Sequence, residues 1–89
     1  MTREEILAEI IRIFHDEFEI DQPGLEDNLR EKYHFDSIDA IELLVEIEKM
    51  LHSELTQEEK KGAMDIRTIN DICDYIEALI QKRKDPSGS

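Results

Sequence analysis

Apolar positions along this chain recur with the period of an α-helix, and nowhere do they alternate as a half-buried strand would. From about Thr2 to Glu19, residues Ile6, Leu7, Ile10, Ile11, Phe14 and Phe18 share one face, and Arg3, Glu4, Glu9, Arg12 and Glu17 lie largely on the other. Thr2 and Glu5 have the spacing of a capping box, which marks the start of this helix. Asp21-Gln22-Pro23-Gly24 then breaks the pattern. From Leu25 to Phe35 the periodicity is weak. Leu25, Leu29, Tyr33 and Phe35 reach a core through one short helical turn, and the rest is expected as loop.

A second full helix is predicted from about Ser37 to His52, with Asp36 or Ser37 as N-cap and Asp39 in its first turn. Thr56 and Glu59 open a short helix that Gly62 ends. Thr68 and Asp71 start the last helix, whose apolar face is Ile69, Ile72, Cys73, Ile76, Leu79 and Ile80. Lys82-Arg83-Lys84 falls at its negative end. The expected fold is all-α, a small four-helix bundle of three main helices plus one short helix, with a long loop after the first helix. Residues 1–82 are expected to form the helical domain and residues 83–89 a flexible C-terminal tail.

The charges on the second full helix are patterned. Asp39, Glu42, Glu46 and Lys49 recur at helical spacing and, at about 100° per residue, fall within roughly an 80° arc. Nearly everything else from Ile38 to Leu51 is apolar, Glu48 being the one acid outside the arc. A serine stands at the start of this helix between two carboxylates, in Asp36-Ser37-Ile38-Asp39. An exposed hydroxyl beside a narrow acidic stripe is a surface suited to being read by other proteins.

Composition narrows the function classes. At 89 residues the chain builds one modest core and has little room for a deep catalytic pocket as well. Its net charge of −12 argues against nucleic acid and favours basic protein partners. No apolar run approaches the ~20 residues of a membrane span, and Met1-Thr2-Arg3-Glu4-Glu5 does not read as a signal peptide. The single cysteine, Cys73, has no internal disulfide partner, so a reducing cytoplasm is the expected compartment. His15, His34 and His52 lack paired ligand spacing, and no metal site is expected. A hydrolytic triad of Ser37, His34 and Asp36 or Asp39 is disfavoured, because near neighbours in sequence rarely meet its geometry.

With this framework in place, the chain resembles the acyl carrier proteins and the phosphopantetheine-carrying domains generally. The resemblance rests on Phe35-Asp36-Ser37-Ile38-Asp39 followed by Ile41-Glu42-Leu43, and on the run Ile66-Arg67-Thr68-Ile69-Asn70-Asp71-Ile72-Cys73-Asp74-Tyr75-Ile76. It covers almost the whole chain. It implies a non-enzymatic carrier whose Ser37 receives 4′-phosphopantetheine from coenzyme A through a separate phosphopantetheinyl transferase, the arm's thiol then holding acyl groups as thioesters. It further implies a recognition surface of Asp36, Ile38, Asp39, Glu42, Val45 and Glu46. Acyl-loading and acyl-processing synthases with basic docking patches would read this face on a monomer. The phosphodiester at Ser37 is expected near free backbone N–H groups of the helix start.

The chain departs from the family pattern in places. His34 stands where fatty-acid carriers typically have Gly two residues before Asp-Ser, and Ile38 replaces the commoner Leu. Lys49, Lys60 and Lys61 stand where acids are common. These differences leave the cargo open between fatty acyl, polyketide and aminoacyl groups. The alternative reading is a non-catalytic acidic interaction module whose Ser37 is only a helix cap, contributing about 1 kcal/mol.

Overall fold

The computed structural model describes residues 1–84. Helix α1 spans Arg3–Phe18, α2 Leu29–Tyr33, α3 Ser37–Leu51 and α4 Gln57–Gly62. A 3₁₀ turn, Ala63–Asp65, leads into α5, Ile69–Lys84. Among the described residues there is no strand, and no helix is long and apolar enough to cross a membrane. The bundle expected from periodicity is the one formed, with α2 supplying the short helical turn inside the long connection.

Local chemistry starts each helix as expected. Thr2 and Glu5 form a reciprocal capping box on α1, and Thr56 and Glu59 do the same on α4. Thr68 and Asp71 repeat it at α5, where the Asp71 carboxylate also accepts from the Arg67 amide at 2.9 Å. The helices end where expected, at Glu19, His52 and Gly62, by chemistry the pattern did not show. Glu19, His34 and His52 close α1, α2 and α3 in the left-handed conformation without glycine. Gly62 ends α4 as expected, with ordinary helical φ rather than a left-handed one, and the chain then tightens into the 3₁₀ turn.

The core joins Ile6, Ile10, Ile13 and Phe14 of α1 to Leu43 and Ile47 of α3 and to Ile69, Ile72, Ile76 and Leu79 of α5. Ile13 is buried although the helical pattern did not single it out, while Ile11 is only half-buried. Cys73 is a buried core residue, and burial raises its thiol pKa. The long connection is pinned rather than loose: the Leu29 amide donates to Arg67 O at 2.8 Å and the Asn70 amide to Leu25 O at 3.1 Å. Its Asp27 carboxylate accepts from the Gly24 amide, Lys32 and the Tyr33 hydroxyl.

At the other end, α5 continues through Lys84, past the expected domain boundary. Arg83 belongs to the helix because it is tied to Glu59. The remainder of the expected tail, residues 85–89, lies outside the described residues.

Candidate functional site

Ser37 is the first residue of α3, and its position follows from the residue two before it. Phe35 is buried in a triangle with Phe14 and Phe18, with ring centroids 5.3–5.5 Å apart. Its amide donates to Leu29 O at 3.2 Å. Between α2 and Phe35 the chain reverses at His34, whose φ is 56°. This explains why glycine is common at that position in the family it resembles, since a left-handed residue there carries no penalty without a Cβ.

Asp36 is the N-cap of α3. Its Oδ1 accepts from the Ile38 and Asp39 amides, both at 3.0 Å, and Asp39 Oδ2 accepts from the Asp36 amide at 3.2 Å. The sequence left Asp36 and Ser37 as alternative caps; the geometry assigns the cap to Asp36 and leaves Ser37 exposed. The Ser37 hydroxyl makes no hydrogen bond among the described residues, and none joins it to His34. With the Asp36 carboxylate engaged at the helix end, the base–nucleophile pairing of a hydrolytic triad is not present there. Of the amides at the helix start, those of Ile38 and Asp39 are taken by the Asp36 carboxylate and that of Ala40 by Asp36 O, while the Ser37 amide has no acceptor among the described residues.

The face beyond Ser37 differs from a buried helix with one acidic stripe. Ile38 and Ile41 are 69% and 63% exposed, and Val45 is exposed as well. At about 100° per residue these three occupy the arc beside the acids. Two stripes therefore run side by side. Asp39, Glu42 and Glu46 form one, Glu46 being half-buried and paired with Lys49 at 3.2 Å. Ile38, Ile41 and Val45 form the other. Val45 does not lie among the acids; it lines a groove with Ile41 facing α4. Ile41 escaped the sequence reading because an isoleucine at helical spacing is ordinarily assigned to the core. Glu48, the acid outside the stripe, accepts from the Leu55 amide at 2.8 Å and fastens the α3–α4 connection.

Ser37 opens onto the apolar side. A cleft of about 100 Å³ runs inward from it between α3 and the 3₁₀ turn, lined by Phe35, Ala40, Leu43, Leu44, Ala63 and Ile66 among others. A wider groove of about 480 Å³ continues over Ile41, Val45 and Met64. An exposed, unbonded hydroxyl at the mouth of an apolar cleft fits covalent attachment of an extended group with room beside it.

Similarity to known proteins agrees with this geometry. Residues 5–76 match the family described as "Phosphopantetheine attachment site". The chain is 34% identical over 82 residues to a protein named "Acyl carrier protein 2" of Ralstonia nicotianae, covering 90% of this chain and 98% of that one. It is 36% identical over 78 residues to the "Acyl carrier protein" of Rubrobacter xylanophilus, covering 85% and 93% respectively. No solved structure gives a significant match.

Proposed function

The chain belongs to the acyl carrier protein family, and from that premise we propose that Ser37 is the residue on which it bears its prosthetic group. The protein is a carrier of acyl intermediates with covalently attached 4′-phosphopantetheine. That group supplies a thiol that holds acyl cargo as a thioester, so the protein's own residues position and present rather than catalyse. The observation that carries the assignment is the free Ser37 hydroxyl. It is exposed at the start of α3, held in place by Phe35 and unencumbered by the cap that Asp36 makes.

The paired stripes of α3 support a docking role. Asp39, Glu42 and Glu46 attract basic surfaces from a distance. Ile38, Ile41 and Val45 then offer apolar area for close contact. A phosphopantetheinyl transferase and the synthases that load and consume the cargo would share this face, since each must approach Ser37.

Incubating the protein with coenzyme A and a broad-specificity phosphopantetheinyl transferase tests the assignment by intact mass. The expected result is a gain of one phosphopantetheine on the parent and none on Ser37→Ala. Equal gain on both would move the attachment to another residue. No gain on folded protein with an active transferase would favour an unmodified interaction module.

A further inference from the structure

The first turn of α3 is already crowded with negative charge. Two carboxylates, Asp36 and Asp39, occupy its cap, and Asp36 takes the Ile38 and Asp39 amides, leaving an anion at this helix start the Ser37 amide. A phosphate attached to Ser37 adds further negative charge at this spot. One amide supplies no formal counter-charge, which leaves that role to cationic side chains.

The opposite side of the cleft holds a source. Arg3 pairs with Asp74 and Glu77, Arg12 with Glu9 and Asp16, and Arg83 with Glu59. Among the described residues, Arg30 and Arg67 form no ion pair, in a chain with 23 acids and 11 bases. Both line the same small cleft as Ser37, Arg30 from α2 and Arg67 from the segment entering α5. Arg30 also lines the shallow depression that contains Asp36 and Ser37. Arg67 is braced. Its Nη1 donates to Met64 O at 2.8 Å and to Ile66 O at 2.9 Å, while Nε and Nη2 have no acceptor among the described residues.

We propose that Arg30 and Arg67 bracket the phosphate borne by Ser37 and so hold the root of the arm at the mouth of the cleft. Guanidinium groups suit this task because their planar forks match phosphate oxygens with paired hydrogen bonds. Both act as positioning residues: they set where the arm starts, on the apolar side of α3, and leave the acidic side to partners. The inference rests on Ser37 being the attachment residue.

The test uses ¹⁵N-labelled full-length protein before and after modification, with intact mass reporting whether the group has been added. The Nε–Hε resonances of Arg30 and Arg67 are expected to shift on modification, while those of Arg3 and Arg12 stay in place. The ³¹P resonance of modified Arg30→Gln/Arg67→Gln is expected to move from the parent value toward that of unfolded modified protein. Because Arg67 also braces the 3₁₀ turn, Arg67→Lys provides a second variant, and the parent resonances depend on no variant at all. A full mass gain with unmoved Arg30 and Arg67 resonances and an unchanged ³¹P signal would overturn the bracket while leaving Ser37 assigned. Absence of any mass gain would overturn both.

Discussion

Glu59 is the one buried residue of α4, and Arg83 grips its carboxylate with both ends of the guanidinium fork, Nη1 to Oε2 at 3.0 Å and Nη2 to Oε1 at 3.2 Å. The same guanidinium donates through Nε to Ser53 Oγ at 3.1 Å and through Nη2 to Glu54 O at 3.1 Å. Lys82 lies 3.5 Å from the carboxylate, and the Tyr75 hydroxyl donates to Glu59 O. Helix α4 has no apolar residue of its own in the core, so a polar clasp rather than hydrophobic burial fixes this wall of the wider groove.

Removing one partner of a buried pair leaves the other uncompensated, which typically costs several kcal/mol. Arg83 is partly exposed and keeps its carbonyl acceptor, so Glu59→Gln is expected to cost about 2–3 kcal/mol. Chemical denaturation reads this directly. Hydrogen exchange should show the α4 amides losing protection first, ahead of α1 and α5.

The same clasp sets an acid limit. Burial works to raise the Glu59 pKa, but hydrogen bonds from Arg83 and the Thr56 amide, with the charges of Arg83 and Lys82, bring it down to about 2. A carboxylate depressed in the folded state stabilises fully above its unfolded pKa, and that contribution is lost as pH falls toward the folded value. The stability difference between parent and Glu59→Gln should therefore be constant near neutrality and shrink between about pH 4.5 and 2. A difference that stays constant through this window would mean that Glu59 carries no depressed pKa.

His34 holds a left-handed backbone with a Cβ. Replacing it with glycine removes a conformational penalty of about 1 kcal/mol but frees the unfolded chain, so the two effects nearly offset. His34→Gly is expected to leave the melting temperature within a few degrees of the parent. His34→Val, β-branched at positive φ, should lower it clearly.

Phe35 seats the start of α3, so Phe35→Ala should reach both stability and site. Large-to-small changes of buried phenylalanine cost about 3–5 kcal/mol. The distinguishing outcome is local: amide resonances of residues 36–38 should broaden or shift more than those of α5, and modification of Ser37 should slow. Phe35→Leu, which keeps much of the volume, should restore most of both.

On α3, charge and apolar contact should separate kinetically. Glu42→Lys/Glu46→Lys is expected to slow modification strongly at low salt and weakly at high salt, because the lost term is long-range steering. Ile41→Ser should slow it about equally at both, since the lost contact is short-range. Modification rates measured at two ionic strengths check both.

Much of this was legible in the sequence for physical reasons that act locally. Capping boxes at Thr2, Thr56 and Thr68 are spelled within four residues, and apolar spacing marks the faces of α1 and α5. Ser37 was legible as a serine at a helix start from the pattern, and its reading as the attachment residue came from the family resemblance. What stayed hidden depends on distant partners. The pairing of Glu59 with Arg83 crosses 24 positions, and the lack of carboxylate partners for Arg30 and Arg67 among the described residues is invisible without the fold. The exposure of Ile41 ran against the rule that periodic isoleucines go inward, since nothing in periodicity distinguishes a core stripe from a docking stripe.

The central claim is that Ser37 carries the arm, and fragmentation mass spectrometry of the modified protein tests it most directly. The account predicts that every fragment retaining phosphopantetheine contains Ser37, and that cleavage on either side of that residue localises the added mass to it alone. Added mass on Ser53, whose hydroxyl is held by Arg83, or on any other residue would contradict it.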